Sequence, residues 1–320
     1  MASTSPHPPL GSTLVTCCGA LAATAGRLVR PRRADRRLLA TLGDAGLPPT
    51  RATVRLTALP QARQSAPAAV VAEGARRPRR LRLSMTTFLV EHPRARFLVD
   101  PAMCTDVHDV VLPELSPVLR AAIAPEKPVA GLAEVLATEN LDPADIDFAL
   151  PTHLHWDHVS GLLELPHELP VRTLAVERDW ALAGPVAPHG VARGPLLSRH
   201  FDPFELDGPP VLTFTGSHDL FGDGSAVLVD LAGHTPGSVG VLLAVDGGDR
   251  VLLAGDAVWH GLQVTLVRGT APFPGRFTDA DRAAAFATVH RLHALPASIE
   301  VVASHDRAAA AKWAHRDDFA

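Results

Sequence analysis

Four apolar segments of this chain each end by releasing a histidine or an aspartate into a polar turn. "DIDFAL" (145–150) runs into "PTHLHWDH" (151–158). "AVLVDLAGHTPGS" (226–238) presents His234, "RVLLAGDAVW" (250–259) delivers Asp256, and "IEVVASHD" (299–306) delivers His305. Short uniformly apolar runs bounded by turn residues read as strands buried on both faces. If the ends of such strands are to act together, they must lie along one edge of a sheet, where loops on a rigid scaffold carry function. Four separate coincidences are hard to attribute to packing.

The surrounding pattern agrees with a layered fold. Beginning near Arg51, "ATVRLTAL" (52–59) and "LRLSMTTFLV" (81–90) are strand-like, and "EHPRAR" (91–96) forms a turn before "FLVDP" (97–101), which makes a hairpin. "VAGLAEVLATENL" (129–141) has helical spacing and stops before Pro143. Further strands are expected at 171–175, 211–215, 226–231, 241–245, 250–254 and 299–303, and helices at 177–183 and 281–294. The second helix is expected to open with Thr278 and Asp281 as a variant capping box. Strands interleaved with helices and no internal repeat predict an α/β or α+β sandwich.

Within "THLHWDH", alternate residues of an extended segment point the same way, so His153, His155 and Asp157 converge. His158 then faces away or turns in at the next bend. Imidazole nitrogens and carboxylate oxygens are ordinary ligands for zinc, and also for iron or manganese. So dense a cluster suits two neighbouring metals better than one, whereas a solvated turn rarely concentrates these residue types.

In this order, HxHxDH (153–158), GHTPGS (233–238), GDA (255–257) and SHD (304–306) resemble the metallo-β-lactamase-fold hydrolases. The resemblance covers about residues 80–310 and implies an αββα sandwich with a dinuclear site at one sheet edge. It implies that His153, His155 and His234 hold one divalent ion, zinc first among the candidates. Asp157, His158 and His305 would hold the other, with Asp256 bridging. Such ions lower the pKa of a bound water to about 7 and polarise a carbonyl. The implied activity is metal-dependent hydrolysis of a small ester or lactone, with Asp157 and Asp256 as the catalytic carboxylates. Phosphotriester or thioester hydrolysis is the alternative on the same site. Mono-iron oxygen or persulfide chemistry, or a non-catalytic metal-binding module, are alternatives of another class.

Among the branches of that family, the pattern is most like the quorum-quenching lactonases and the organophosphate or aryl-ester hydrolases. One departure stands out. Lactonases of this kind commonly place a tyrosine phenol beside the metals, and this chain has no tyrosine. His260 and Ser238 are the candidates to replace it. His108, His218 and His260 otherwise read as solvated or core histidines, Asp100 as structural, and Trp156 and Trp259 as either cleft wall or core. Groove walls are expected from loops near 101–116, 184–205 and 260–280.

Charge separates the chain into two parts. Residues 1–83 hold 14 Arg against 3 acidic residues, while the remainder holds 16 basic and 31 acidic residues. An acidic main body is a poor phosphate-backbone binder, which argues for a small-molecule substrate and against nucleic acid. No apolar run is long enough for a membrane span. The three cysteines, Cys17, Cys18 and Cys104, offer no disulfide framework or CxxC pair, and a reducing compartment, the cytoplasm, is the simplest reading. Residues 1–50 are expected to be a disordered Arg-, Ala- and Pro-rich extension, with the catalytic domain spanning 51–320. The apolar stretch Gly11–Gly26 has its arginines behind it, the reverse of a secretory signal. Export, or association with a membrane surface through this segment, is the alternative.

Overall fold

The computed structural model describes residues 10–314. Eleven strands form two sheets among these residues. The first sheet contains β1 (Arg55–Pro67), β2 (Arg80–His92), β3 (Ala95–Val99), β4 (Phe148–Leu150), β5 (Val171–Leu174) and β6 (Phe201–Phe204), in that spatial order. β1, β2 and β3 pair antiparallel, and β3 to β6 run parallel. The second sheet contains β7 (Ser217–Asp219), β8 (Ala226–Asp230), β9 (Val239–Ala244), β10 (Arg250–Leu253) and β11 (Ile299–Val302), in the reverse spatial order, with only β10 and β11 parallel.

Alternation along the strands builds four layers. Phe88, Val90, Phe97, Val99, Phe148 and Leu150 of the first sheet meet Leu228, Val241, Leu243, Val251, Leu253 and Val302 of the second in one buried cluster. The residues between them point the other way. Leu89, Leu98 and Ala149 pack with Leu132, Val135 and Leu136 of the helix Leu132–Thr138. Val227, Val229, Leu242 and Leu252 pack with Phe286, Val289 and Leu292 of the helix Arg282–His293. Both faces of each sheet are therefore covered, which is why these strands read as uniformly apolar. The expected αββα sandwich is the architecture found.

Several local expectations are corrected. Residues 211–215 are not a strand: Leu212 has φ 52°, and Val211 and Phe214 bridge across a tight turn. β6 and β7 were not anticipated because they are short edge strands, half-exposed, and Pro203 lies within β6, where only an edge tolerates it. Asp281, rather than Thr278, caps the helix Arg282–His293, accepting from the N–H groups of Ala283 and Ala284. Thr278 ends the preceding helix, Pro272–Thr278.

The N-terminal region differs most from its composition. Residues 1–9 and 315–320 lie outside the described residues, but Leu10–Val29 is a 20-residue helix rather than a disordered segment. Thr13, Ala20 and Thr24 recur at helical spacing and are buried. Ala20 packs with Leu119 and Phe277, and Thr24 Oγ1 accepts a hydrogen bond from the Phe273 N–H at 2.8 Å. Small side chains on one stripe let the helix sit close against the helix Pro272–Thr278, a tertiary gain that overrides the disorder signal of the composition. Cys17, Cys18 and Cys104 are all free thiols.

Candidate metal centre

The centre lies where β4, β8, β10 and β11 end, so both sheets contribute to it. After β4 the chain bends at Thr152, His153 and His155 before the helix Trp156–Val159, whose N-cap residue is His155. From there the side-chain period is the 3.6 of a helix. That period turns His158 inward, three residues after His155, and leaves Asp157 facing the same space. Trp156 goes the other way into a core cluster with Met85, Met103 and Leu112 while its edge lines the cleft.

All seven residues expected at the site are brought together. Three overlapping groups can hold a metal ion: His153, His155 and His234; His153, His158 and Asp256; and Asp157, His158 and His305, with donor atoms in each group within 4.8 Å of one another. His155 Nδ1 and His234 Nε2 are 2.9 Å apart. Asp256 sits between the groups, with Oδ1 at 3.0 Å from His305 Nε2 and 3.3 Å from His158 Nε2, and Oδ2 at 3.5 Å from His234 Nε2. Asp157 Oδ2 is 3.4 Å from His305 Nε2.

The outward nitrogens explain why the inward ones converge. His158 Nδ1 lies 2.9 Å from Asp100 Oδ2, His234 Nδ1 lies 3.1 Å from Asp279 Oδ1, and His305 Nδ1 lies 2.9 Å from the Ser84 carbonyl. Each partner fixes ring orientation and leaves Nε2 for the centre, the usual support of a ligating histidine. His153 Nε2 is fully buried with no hydrogen-bond partner, an arrangement that burial penalises unless the lone pair has another use. The residues present therefore fit divalent cations.

Electrostatics divide four of the rings into two pairs. Burial, reinforced by the neighbouring histidines, holds His153 and His155 well below the usual imidazole range, which favours the neutral form that binds metal. Burial also opposes charge on His158 and His305, but facing carboxylates outweigh it. Asp100, Asp256 and Asp157 raise His158 well above its ordinary value, and Asp256 and Asp157 raise His305 to about 9. Burial raises Asp157, whereas for Asp256 it is overcome by His305 and His158, which hold that carboxyl well below the usual range.

Three supporting carboxylates were not assigned a role from sequence. Asp100, read as structural, accepts from the Thr152 N–H at 2.6 Å and Ser304 Oγ at 2.7 Å, so it ties the ends of β3, β4 and β11 together as well as orienting His158. Glu177 is fully buried and accepts from the N–H groups of Leu154 and Gly237, both at 2.9 Å, joining the loop of His153 and His155 to the loop of His234. Burial raises the Glu177 carboxyl above its ordinary pKa. Asp279 orients His234 and is held in turn by Arg282 at 3.1 Å.

Two motif glycines follow from this packing. A Cβ on Gly233, at φ 136°, would lie 2.1 Å from the Ala285 backbone nitrogen, and one on Gly237 would lie 2.5 Å from Glu177 Cβ. Only glycine lets the His234 loop approach so closely.

Above the centre is a cleft of about 310 Å³, whose floor includes His155, Asp157, His234, Asp256 and His305. Its walls are mainly apolar: Pro67 at the end of β1 and Val70 just after it, Leu83 and Met85 of β2, Ile123, Trp259 and Phe273. A larger cavity of about 600 Å³ between β1 and the segment 126–139 contains none of the seven site residues. Gly190 and residues 273–278 agree with the expected wall loops, while the contribution of β1 and β2 was not foreseen. His108, His218 and His260 do not line the cleft; His218 stacks on Phe204, and His260 caps the helix Gly261–Leu266. Ser238 is absent from it too, bonded instead to Thr235. Ser65 and Thr278 are the hydroxyl-bearing residues that line the cleft, and Thr278 Oγ1 is buried without a hydrogen-bond partner.

Comparison with known proteins agrees with this architecture. The sequence pattern describing the Metallo-beta-lactamase superfamily matches residues 82–305. An N-acyl homoserine lactonase AttM of Azorhizobium caulinodans is 23% identical over 173 residues, 54% of this chain and 64% of that protein. The AttM of Rhizobium radiobacter is 25% identical over 130 residues, 40% of this chain and 48% of that protein. The match thus spans between about half and two thirds of these relatives. Among solved structures, a B. thuringiensis AiiA variant with N-decanoyl-L-homoserine bound at its active site superposes with TM-score 0.60 at 19% identity, covering 79% of this chain and 94% of that one. AidC, described as a dizinc quorum-quenching lactonase, superposes with TM-score 0.55 at 14% identity, covering 81% and 90%. At such identities the superpositions speak to the fold, and the sequence pattern, matched over more than half the chain, speaks to descent: this chain belongs to the metallo-beta-lactamase superfamily.

Proposed function

We propose that the chain is a dinuclear metal-dependent hydrolase acting on a small, uncharged ester or lactone that carries an apolar group. His153, His155 and His234 would hold one ion, Asp157, His158 and His305 the other, and Asp256 would serve both. Two divalent ions held this way supply an activated water and a Lewis acid for the carbonyl oxygen. The chain itself contributes orientation and exclusion of water. Asp256 faces both ligand groups, Asp157 borders the cleft where it can hold the attacking water and carry a proton to the leaving oxygen, and the apolar walls desolvate the bound acyl or alkyl part.

The observation that carries this reading is the joint presence of the seven converging side chains and a cleft whose lining includes no Lys or Arg. Strongly anionic phosphate esters would find no cation there beyond the metals. The curated relatives are N-acyl homoserine lactonases, whose substrates combine a lactone with an acyl chain, and this supports the ester or lactone class. The absent tyrosine leaves Thr278 as the cleft hydroxyl free to meet a substrate oxygen.

The test is hydrolysis of acyl lactones, aryl esters, thioesters and phosphotriesters by zinc- or manganese-loaded protein, repeated after chelation. Chelator-sensitive turnover of lactones or aryl esters is expected. No turnover of any class by protein shown to contain two metals would overturn the proposal, and one bound iron with oxygen uptake would replace it.

A further inference from the structure

Five of the twelve large apolar side chains that face solvent among the described residues lie on one helix, Leu10–Val29. Leu14, Val15, Leu21, Leu28 and Val29, together with the small residues between them, fill an arc of roughly 140° at about 100° per residue. Val15 is 75% exposed and Val29 71%. The opposite stripe, Thr13, Ala20 and Thr24, is already used against the rest of the fold. An exposed apolar stripe of this extent marks a surface that binds something.

What adjoins the stripe is positive. Arg30, Arg33 and Arg36 follow the helix directly, and Arg76, Arg77 and Arg79 lie on the connection between β1 and β2; all six are exposed and form no ion pair among the described residues. The two basic runs are neighbours in space. The Arg32 N–H donates to Glu73, and Gly74 lies against Pro31. These arginines stand out on a chain whose remainder is acidic.

We propose that the outer face of the helix Leu10–Val29 and the adjoining arginines form a docking surface for an anionic lipid bilayer. Apolar side chains enter the headgroup boundary and guanidinium groups meet the lipid phosphates, the combination typical of interfacial helices. No described helix is long and apolar enough to cross a membrane, so this one lies on the surface. Nucleic acid would use the arginines and leave the apolar stripe in water. A second copy would cover the stripe but bring two sets of arginines together. The surface is independent of the hydrolytic reading.

The test is flotation of the full chain with vesicles of phosphatidylglycerol and phosphatidylcholine, against vesicles of phosphatidylcholine alone. Binding to the anionic vesicles only, weakened by salt, is expected. Val15→Glu combined with Leu21→Glu should weaken it about tenfold or more, and reversing Arg76, Arg77 and Arg79 to Glu should weaken it roughly fivefold per charge, each with unchanged circular dichroism. The proposal fails if neither vesicle carries the protein, or if the folded double variant binds like the parent. It also fails if duplex DNA is bound while vesicles are not, or if the stripe proves to be a dimer contact that the double variant dissolves without any vesicle binding.

Discussion

The floor and the walls of the cleft are built on different physical terms. The residues of the metal centre at and beneath the floor follow the ends of buried strands, and His158, His234 and His305 each have the second ring nitrogen held by a carboxylate or carbonyl. Wall side chains such as those of Ile123, Trp259 and Phe273 come from helices and connections and are packed against apolar neighbours, while the hydrogen bonds here, Phe273 N–H to Thr24 and Trp259 N–H to Gln263, hold the backbone rather than the side chain. Directional contacts fix the floor to a geometry that metals require, whereas non-directional contacts let the walls change with little penalty. Chemistry is thus separated from substrate choice within a few ångströms.

The largest effects should come from the floor. His155→Ala and Asp256→Ala are each expected to abolish turnover and lower metal content, read by steady-state kinetics and elemental analysis; parental activity in either variant would remove the proposed site. One step outward, Glu177→Ala leaves the N–H groups of Leu154 and Gly237 without their acceptor. Metal affinity or kcat/KM should fall about 10- to 100-fold, the usual cost of losing support behind a ligand. A variant that kept full metal affinity and activity would show that the loops hold themselves. The wall should respond least. Phe273→Ala should raise KM for long-chain substrates about tenfold, since one apolar contact discriminates by roughly 10- to 200-fold. Metal content and turnover of short-chain substrates should stay near parental values. A loss of metal in this variant would break the distinction between floor and wall.

How far the sequence could be read follows the same division. The seven residues of the proposed centre were legible because they lie on the short segments that follow β4, β8, β10 and β11, so local patterning places them near strand ends. Asp100 and Glu177, both fully buried, and the partly buried Asp279 are parts of the centre, yet nothing in their own neighbourhood marks them. Their partners are distant: Ser304 bonds Asp100 across 204 positions and Gly237 bonds Glu177 across 60. The N-terminal helix was misread for a related reason. Its composition suggests disorder, and a stripe of small residues fitting against Leu119, Phe277 and Phe273 stabilises it.

By itself the sequence determined a sandwich of strands and helices, which the family resemblance sharpened to four layers, and the residue types gathered at one sheet edge, because alternation and strand-end placement are local properties of a chain. Only the tertiary structure decided that His158 turns inward, which carboxylates orient the rings, which apolar groups wall the cleft, and that an apolar stripe beside arginines faces solvent. Those outcomes depend on contacts between segments far apart in the chain, and packing rather than local propensity selects such contacts.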